Sequence, residues 1–302
     1  MMAADLERAF RLEVLATLGH APEVVEPGKL QRFATRDRRH DDAGWCLMFE
    51  DRRGGVYGCY RAGFQRTWTA RDRRTLTPSE RAELARQVEA ATRQRLTLQR
   101  ERWAKHAARN AEVWARCLPL TPGDPVASYL RRRGFDGVWP LPAALRLHPA
   151  LPYWHEGALL GAFPAMVAPL SGPDGRTVAL HRTYLTPAGR KADVPSVKKL
   201  SGASGPLAGA AIRLHEPAGR CMGIAEGIET ALAATCMTGL PSVAAYCAGN
   251  LAAWQWPASL QRLVILADAD NAGRQAADAL RRRALAAGLR VEVMAPTDAG
   301  AD

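Results

Sequence analysis

The chain has 302 residues, of which 47% are hydrophobic and 24% charged, a composition typical of globular proteins and not of disordered ones. The formal net charge is +11, and the excess of Lys and Arg lies in the first 215 residues, which favours contacts with phosphates. No apolar run approaches eighteen residues, and the opening MMAADLERAF lacks the apolar segment of a signal peptide, so a cytoplasmic protein without membrane contact is expected.

The cysteines and histidines do not follow zinc-binding patterns. The six cysteines include no C-x-x-C pair, and the seven histidines include no H-E-x-x-H motif. Several cysteines lie in apolar stretches, where a thiol packs as a small hydrophobic group. We therefore expect reduced, mostly structural cysteines and no zinc.

Residues 1–75 are predicted to form a small β-rich N-terminal region behind a short helix at about 4–18. The segments 45-WCLMFE-50 and 56-VYGCY-60 flank a polar turn and predict a hairpin. Arginines alternate here with aromatic residues, a mixture that can stack on single-stranded nucleic acid. Packing in the core of a small sheet is the alternative, and for most of these aromatic residues we favour it.

The segment 77-TPSE-80 predicts the start of a long basic helix, which takes up residues 76–117. Thr77 and Glu80 can form a capping box, and Pro78 suits the first helical position. A helix of this length would extend roughly 60 Å. It is either a solvated connecting helix, which we favour, or a basic helix that follows a nucleic-acid backbone.

Residues 118–217 are predicted to form a basic α+β region. Asp124 is expected to cap a short helix over 125–134 that Gly134 ends. The segments 162–170 and 177–185 predict a β-hairpin. The turn-rich segment 187–202 carries Arg190, Lys191, Lys198 and Lys199, which either meet phosphates or belong to a basic surface loop.

Residues 218–302 alternate regularly between strand and helix patterns. This order predicts a mainly parallel sheet with helices on both faces. The predicted strands are 221–226, 242–247, 262–268 and 290–295, and the predicted helices are 228–239, 251–256 and 273–288.

Carboxylates follow three of these strands. Glu226 ends the first strand, Asp268 and Asp270 end the third, and Asp298 follows the fourth. Ligands of parallel sheets bind beyond the carboxyl ends of the strands, and crowded carboxylates are relieved by divalent cations. A site with only oxygen ligands favours Mg²⁺ or Mn²⁺.

Other interpretations of these acidic residues fit less well. The G-x-x-x-x-G-K-[ST] loop that a Walker B aspartate requires is missing, as is a G-x-G-x-x-G motif after the first strand. A haloacid-dehalogenase-like phosphatase would carry its D-x-D after the opening strand. Helix capping accounts for Asp270 or Asn271 but leaves Glu226 and Asp268 unexplained.

The segments 226-EGIETALA-233 and 268-DADNAGRQAA-277 resemble the Toprim domain, which bacterial-type primases, topoisomerases and certain nucleases share. That family places one Glu after its first strand and Asp-x-Asp after its third. The segment 181-HRTYLTPAGRKADVPSVKKLSG-202 looks like the basic region that precedes Toprim in primases. Residues 124–134 and 44–68 are similar to the front halves of plasmid- and phage-encoded primases.

This resemblance implies roles for the candidate residues. Asp268 and Asp270 would hold metal ions on nucleoside triphosphate oxygens, and Glu226 would support metal binding or act as general acid or base. Asp298 would be a further ligand, with Glu229 and Asn250 supporting the site. In primases an Arg and a Lys of the basic region contact nucleotide or template. Arg182 and Lys199 match these two residues best, with Lys198 as neighbour and Arg190 nearby.

The chain also departs from cellular primases. It has no N-terminal zinc motif and no helicase motor, so a separate helicase is expected to unwind DNA. It stops at 297-TDAGAD-302, where relatives continue with a further acidic motif, so a shortened Toprim copy is expected. The leading hypothesis is a plasmid- or prophage-type primase that makes primers on single-stranded DNA. A Toprim nuclease and a non-catalytic DNA-binding remnant are the alternatives, whereas a topoisomerase is disfavoured.

Overall fold

The computed structural model describes residues 3–36, 41–135, 140–216 and 220–295. By its internal contacts the chain divides into two units, Met1–Glu101 and Arg102–Asp302. Within the described ranges, no helix is both long and apolar enough to cross a membrane. The four regions proposed from the sequence stay a prediction.

The first unit contains a helix and a four-stranded antiparallel meander in the order β1-β2-β3-β4. The predicted hairpin is confirmed as β2 and β3. Phe10 and Val14 of the helix pack with Cys46, Met48 and Tyr57 of the sheet, because both elements bury one apolar face. These elements are α1 (Ala3–Leu18), β1 (Gln31–Phe33), β2 (Gly44–Met48), β3 (Gly54–Cys59) and β4 (Phe64–Thr69).

Most of the aromatic residues interleaved with arginine pack in this sheet, as we favoured. Trp45, Phe49 and Tyr57 are each less than 5% exposed. The Arg95 guanidinium stands 4.9 Å from the Trp45 ring centroid, and Arg32 covers the Tyr60 ring at 4.6 Å. Such cation–π contacts pair arginine with aromatic rings inside the protein.

The long helix α2 (Pro78–Ala115) begins at the predicted capping box. The Thr77 amide donates to Glu80 Oε2 at 2.7 Å, and the Glu80 amide donates to Thr77 Oγ1 at 3.2 Å. Its last turns are not simply solvated: the Asn110 side chain donates to the Gly202 carbonyl, and His106 Nδ1 lies 2.7 Å from the Ala203 carbonyl oxygen. The expectation of a solvated helix is therefore wrong for this end, where polar side chains bind the loop after residue 200.

The second unit is built on a ten-stranded mixed sheet. Strands β14-β13-β11-β12 are parallel, and β10 joins β12 to an antiparallel half that continues through β7, β6 and β5. Strand β8 pairs with β7 and β9. The strands are β5 (Leu118–Pro119), β6 (Arg146–His155), β7 (Ala158–Ser171), β8 (Thr177–Tyr184), β9 (Lys198–Leu200), β10 (Ala211–Arg213), β11 (Cys221–Ala225), β12 (Ser242–Ala244), β13 (Arg262–Leu266) and β14 (Arg290–Met294).

Helices cover both faces of this sheet, as the alternating pattern predicts. Ile228 and Leu232 of one helix pack with Leu130 and Met166 on the first face. Leu280 and Leu251 pack with Ile265 on the second face. The helices are α3 (Pro125–Arg132), α4 (Ile228–Thr238), α5 (Ala248–Ala253) and α6 (Asn271–Ala286), with α3 and α4 on the first face and α5 and α6 on the second.

Several elements differ from the sequence prediction. Strand β6 was not predicted because its prolines interrupt the strand pattern, and the pairing register shifts between His148 and Leu151, around Pro149. The basic segment 187–202 ends in β9 rather than forming only a loop. Helix α5 starts at Ala248, three residues earlier than expected, because the chain leaves β12 at Ala244 and turns through Tyr246, whose φ is 62°.

The turn after β8 packs tightly on α3. Gly189 has φ +69°, and a Cβ there would lie 2.5 Å from the Ser128 Cβ and 2.8 Å from the Pro125 carbonyl oxygen. Gly134 ends α3 at φ +94° with nothing within 4 Å of its would-be Cβ. Both glycines have a positive φ, but only Gly189 has close neighbours. Comparing alanine substitutions at the two positions therefore separates the cost of backbone strain from the cost of steric contact.

We expect Gly189→Ala to lower the free energy of unfolding by about 1–3 kcal/mol more than Gly134→Ala, because it adds overpacking to the cost of positive φ. Urea unfolding of both variants and the wild type measures the difference. Equal losses would show that the turn moves away from α3 at little cost.

Candidate active site at the carboxyl edge of the parallel strands

Glu226 and Asp268 follow two adjacent parallel strands. Ala225 at the end of β11 pairs with Leu266 at the end of β13, so the residues just beyond them lie at one edge of the sheet. Burial raises the pKa of Glu226, and the carboxylates of Asp268 and Asp270 raise it further. Burial, and then Asp270, likewise raise the pKa of Asp268. Both aspartates therefore lie close enough to Glu226 to disfavour its ionised form.

The segment after β13 is shaped by the start of α6. Asp270 caps the helix, with its Oδ1 accepting a hydrogen bond from the Gly273 amide at 2.6 Å. A Cβ on Gly273 would lie 3.0 Å from both the Cβ and the carbonyl oxygen of Asp268. Glycine at this position thus lets the first turn of α6 lie against Asp268, while one oxygen of Asp270 is already engaged.

The donor chemistry of this edge fits a hard divalent cation. Carboxylate oxygens are the ligands that Mg²⁺ and Mn²⁺ prefer, and a cation would relieve the mutual repulsion that raises the pKa of Glu226 and Asp268. Within the described ranges, however, no three His, Cys, Asp or Glu side chains are already grouped to hold a metal ion. Asp298, the fourth predicted ligand, lies outside the described residues.

Lys198 is the basic residue that β9 brings to the acidic edge. Its ammonium lies 3.0 Å from Glu229 Oε2 and lowers the pKa of both Glu226 and Asp268. Burial would raise the pKa of Glu229, but Lys198 and the Tyr129 hydroxyl outweigh it, so that this pKa lies below its ordinary value. The Tyr129 hydroxyl donates to Glu229 Oε1 at 2.7 Å.

Lys199 and Arg182 lie on the other face of the sheet. Neighbouring residues on a strand point in opposite directions, and Lys199 Nζ stands 4.0 Å from the Tyr153 ring centroid and donates to the Trp154 carbonyl. Arg182 pairs directly opposite Lys199 and donates to the Leu200 carbonyl at 3.0 Å. The structure therefore directs Lys198, rather than these two best sequence matches, towards the carboxylates.

The two remaining predicted residues have other surroundings. Arg190 is exposed in the turn that follows β8, where its amide donates to Thr186 Oγ1. Asn250 is 6% exposed, and its side-chain amide donates to the Ala210 carbonyl at 2.7 Å. That hydrogen bond ties α5 to the start of β10.

Sequence reasoning missed three polar residues beside Lys198. Tyr129 lies on α3, whereas His181 and Thr183 are buried on β8, on the face that Lys198 shares. Burial, with Lys198 adding to it, lowers the pKa of His181 to about 4, so this side chain is neutral at pH 7. Neither His181 Nδ1 nor Thr183 Oγ1 has a hydrogen-bond partner among the described residues. His181 falls in the 181-HRTYL-185 motif, but no local signal pairs Tyr129 with Glu229.

Residues 221–302 match the model of the Toprim domain, and residues 104–214 match a domain of unknown function (DUF7146). A comparison with curated proteins finds no match. The C-terminal part of the chain is a Toprim domain, which confirms the resemblance seen in the sequence and the predicted α/β class.

Two solved structures show a weak likeness. One is a DNA primase domain from Pseudomonas aeruginosa, at 16% identity and a TM-score of 0.34, with 50% of each chain covered. The other is the DnaG primase catalytic domain bound to ssDNA, at 13% identity and a TM-score of 0.42, with 68% of this chain and 76% of that chain covered. The chain thus spans half the length of the first of these, and at such TM-scores neither likeness carries a functional argument.

We expect Glu229→Gln to lower the free energy of unfolding at pH 7 by about 1–3 kcal/mol, because Lys198 and Tyr129 lose a charged partner. The pKa of Glu229 is lowered in the folded state, so its stabilisation is present above the unfolded pKa and is lost as the pH falls through the folded pKa. The difference from the wild type should therefore shrink in acid.

Urea unfolding at pH 7 and at acidic pH measures this difference in stability. Glu292→Gln, at a solvent-exposed pair with Arg262, is the control and should show little effect. A difference that does not depend on pH would contradict the assignment.

We expect Asp268→Asn to stabilise the protein without divalent ions at neutral pH by about 0.5–2 kcal/mol, because it removes a repelling charge. The raised pKa of Asp268 means that ionisation destabilises the fold above the unfolded pKa and that stability is regained as the pH falls. Added Mg²⁺ should then stabilise the wild type more than the variant.

Thermal unfolding with and without Mg²⁺ measures both effects. Asp278→Asn, at an exposed site on α6, is the matched control. A destabilised Asp268→Asn protein, or an equal response of both proteins to Mg²⁺, would contradict the repulsion.

Proposed function

We propose that this Toprim-containing chain is a primase-like nucleotidyltransferase that makes short primers on single-stranded DNA with the help of a divalent metal. The observation that carries the proposal is the position of Glu226 and Asp268 just beyond the paired ends of two parallel strands, with Asp270 and Lys198 near enough to act on the pKa values of both. Plasmid or prophage replication, with a separate helicase that opens the duplex, is the setting that we propose.

The acidic residues would have two roles, metal binding and proton transfer. Asp268 and Asp270, with Asp298 as a further ligand, would hold Mg²⁺ or Mn²⁺, which when bound supplies positive charge for the triphosphate and lowers the pKa of the attacking 3′-hydroxyl. Glu226 would take up a proton at its carboxylate. Its raised pKa suits that role, because a general base works best when its pKa approaches the working pH.

The basic residues would bind phosphate. The Lys198 side chain is 44% exposed while its ammonium is paired with Glu229, so it would reach a triphosphate without leaving Glu229. Arg190 is exposed on the turn after β8 and would contact the template backbone. Arg182 and Lys199 would act from the other face of the sheet, on a strand of DNA that passes that side. The net charge of +11 favours such a polyanionic template.

We expect the purified chain to incorporate labelled nucleoside triphosphates on a single-stranded template when Mg²⁺ is present. Asp268→Ala should lower the rate by at least about 100-fold, because it removes a proposed metal ligand. Asp278→Asn should leave the rate unchanged. Primer length on sequencing gels measures the reaction, and a parallel reaction without template shows whether incorporation depends on it.

Three outcomes would contradict primer synthesis. Metal-dependent cleavage of DNA that Asp268→Ala abolishes would indicate a Toprim nuclease. Binding of single-stranded DNA with neither reaction would indicate a remnant that keeps the fold without turnover. Incorporation that survives Asp268→Ala would exclude this acidic edge as the site.

A further inference from the structure

A cavity of about 290 Å³ lies on the sheet face that α5 and α6 cover, opposite the face of Lys198 and Glu229. Ala211 and Arg213 of β10 form one wall, and Trp254 and Trp256 after α5 form another. None of the residues that line it belongs to the acidic edge. The cavity is therefore a separate feature from the proposed active site.

Side-chain hydrogen bonds hold its walls in place. The Asn250 side chain joins α5 to the Ala210 carbonyl, immediately before β10. Arg283 of α6 donates to the Ala252 and Trp254 carbonyls at 2.7 and 3.1 Å, and its guanidinium stands 5.2 Å from the Trp256 ring centroid. Because both walls are fixed to neighbouring elements, the cavity is formed before any ligand arrives.

The lining combines flat aromatic surface with hydrogen-bonding groups. The ring centroids of Trp254 and Trp256 are 6.5 Å apart and their planes are inclined at 56°. Arg213, His215, Glu216 and Gln255 add polar atoms to the lining. His215 Nδ1 is buried away from solvent, so a ligand in the cavity would meet the rest of the imidazole ring.

A nucleobase matches this lining. Its ring stacks on indole, and its edge carries donors and acceptors that match the polar side chains of the lining, among them His215 and Gln255. The volume lies at the small end of ligand cavities, which fits one ring system rather than an extended ligand. Glu216 is the one carboxylate among the described lining residues, and the proposed metal ligands lie elsewhere, so the proposed base binding requires no metal.

We propose that this cavity binds a single unpaired nucleobase, stacked on Trp256 with its edge towards His215 and Gln255. The base belongs either to a free nucleotide or to a single-stranded DNA. The proposal does not depend on primer synthesis, and it holds equally for a nuclease or a binding protein.

Calorimetric titration of the full chain with adenosine monophosphate, and separately with an oligodeoxyadenylate, tests this in the presence of EDTA. We expect saturable binding that Trp256→Leu weakens about fivefold or more through the loss of stacking. Trp154→Leu, at a 56% exposed tryptophan outside the cavity, should bind as the wild type does. Mononucleotide binding that Trp256→Leu weakens identifies a nucleotide site, and oligonucleotide binding alone that Trp256→Leu weakens identifies a site for a strand base; either supports the proposal. Binding that Trp256→Leu leaves unchanged would place the ligand at the other basic residues and overturn it.

A second measurement avoids any substitution that could unfold the cavity. In the wild-type protein labelled with 5-fluorotryptophan, either ligand should shift the fluorine resonances of Trp254 and Trp256. Absence of binding for both ligands, an affinity that ribose 5-phosphate reproduces, or shifts confined to the other tryptophans would overturn the proposal.

Discussion

The parallel pairing of β11 and β13 forces two strand ends to the same edge, and each strand is followed by acidic residues. Glu226 and Asp268 lie just beyond these paired ends in a half-buried setting, where burial and neighbouring carboxylates raise the pKa of each. The first turn of α6 adds to this constraint, because Gly273 lets it lie against Asp268. Positive charge is therefore favoured at this acidic edge, and the proposed binding of a divalent cation depends on that.

Two sequence regions complete this edge together. The Toprim domain supplies the acidic side chains and Glu229, whereas the region that matches the domain of unknown function supplies Tyr129 and Lys198. Hydrogen bonds of 2.7 and 3.0 Å join them through Glu229. The upstream region thus contributes side chains to the candidate site, in addition to any part it takes in binding DNA.

Local signals made much of this architecture predictable. The capping box of α2, the Asp124 cap of α3 and the alternation after residue 218 act over a few residues, so the sequence alone reveals them. The meeting of Glu226 with Asp268 followed from strand order. Contacts between residues far apart in the sequence could not be predicted from such local signals. Strand β9 has three residues and is held by pairing with β8, and its register decides that Lys198 rather than Lys199 faces the carboxylates. Tyr129 and Glu229 are brought together by the fold, across a hundred positions of sequence.

The continuity of the sheet through β10 has a practical consequence. Strand β12 is hydrogen-bonded on one side to β11 and on the other to β10. A fragment that begins at β11 lacks β10. The main-chain groups of Val243 and Ala244 in β12 would then lose the strand with which they pair. Unpaired strand edges of this kind recruit other chains, so a recombinant fragment limited to the Toprim segment is expected to self-associate, and soluble expression calls for keeping β10 and β7 attached.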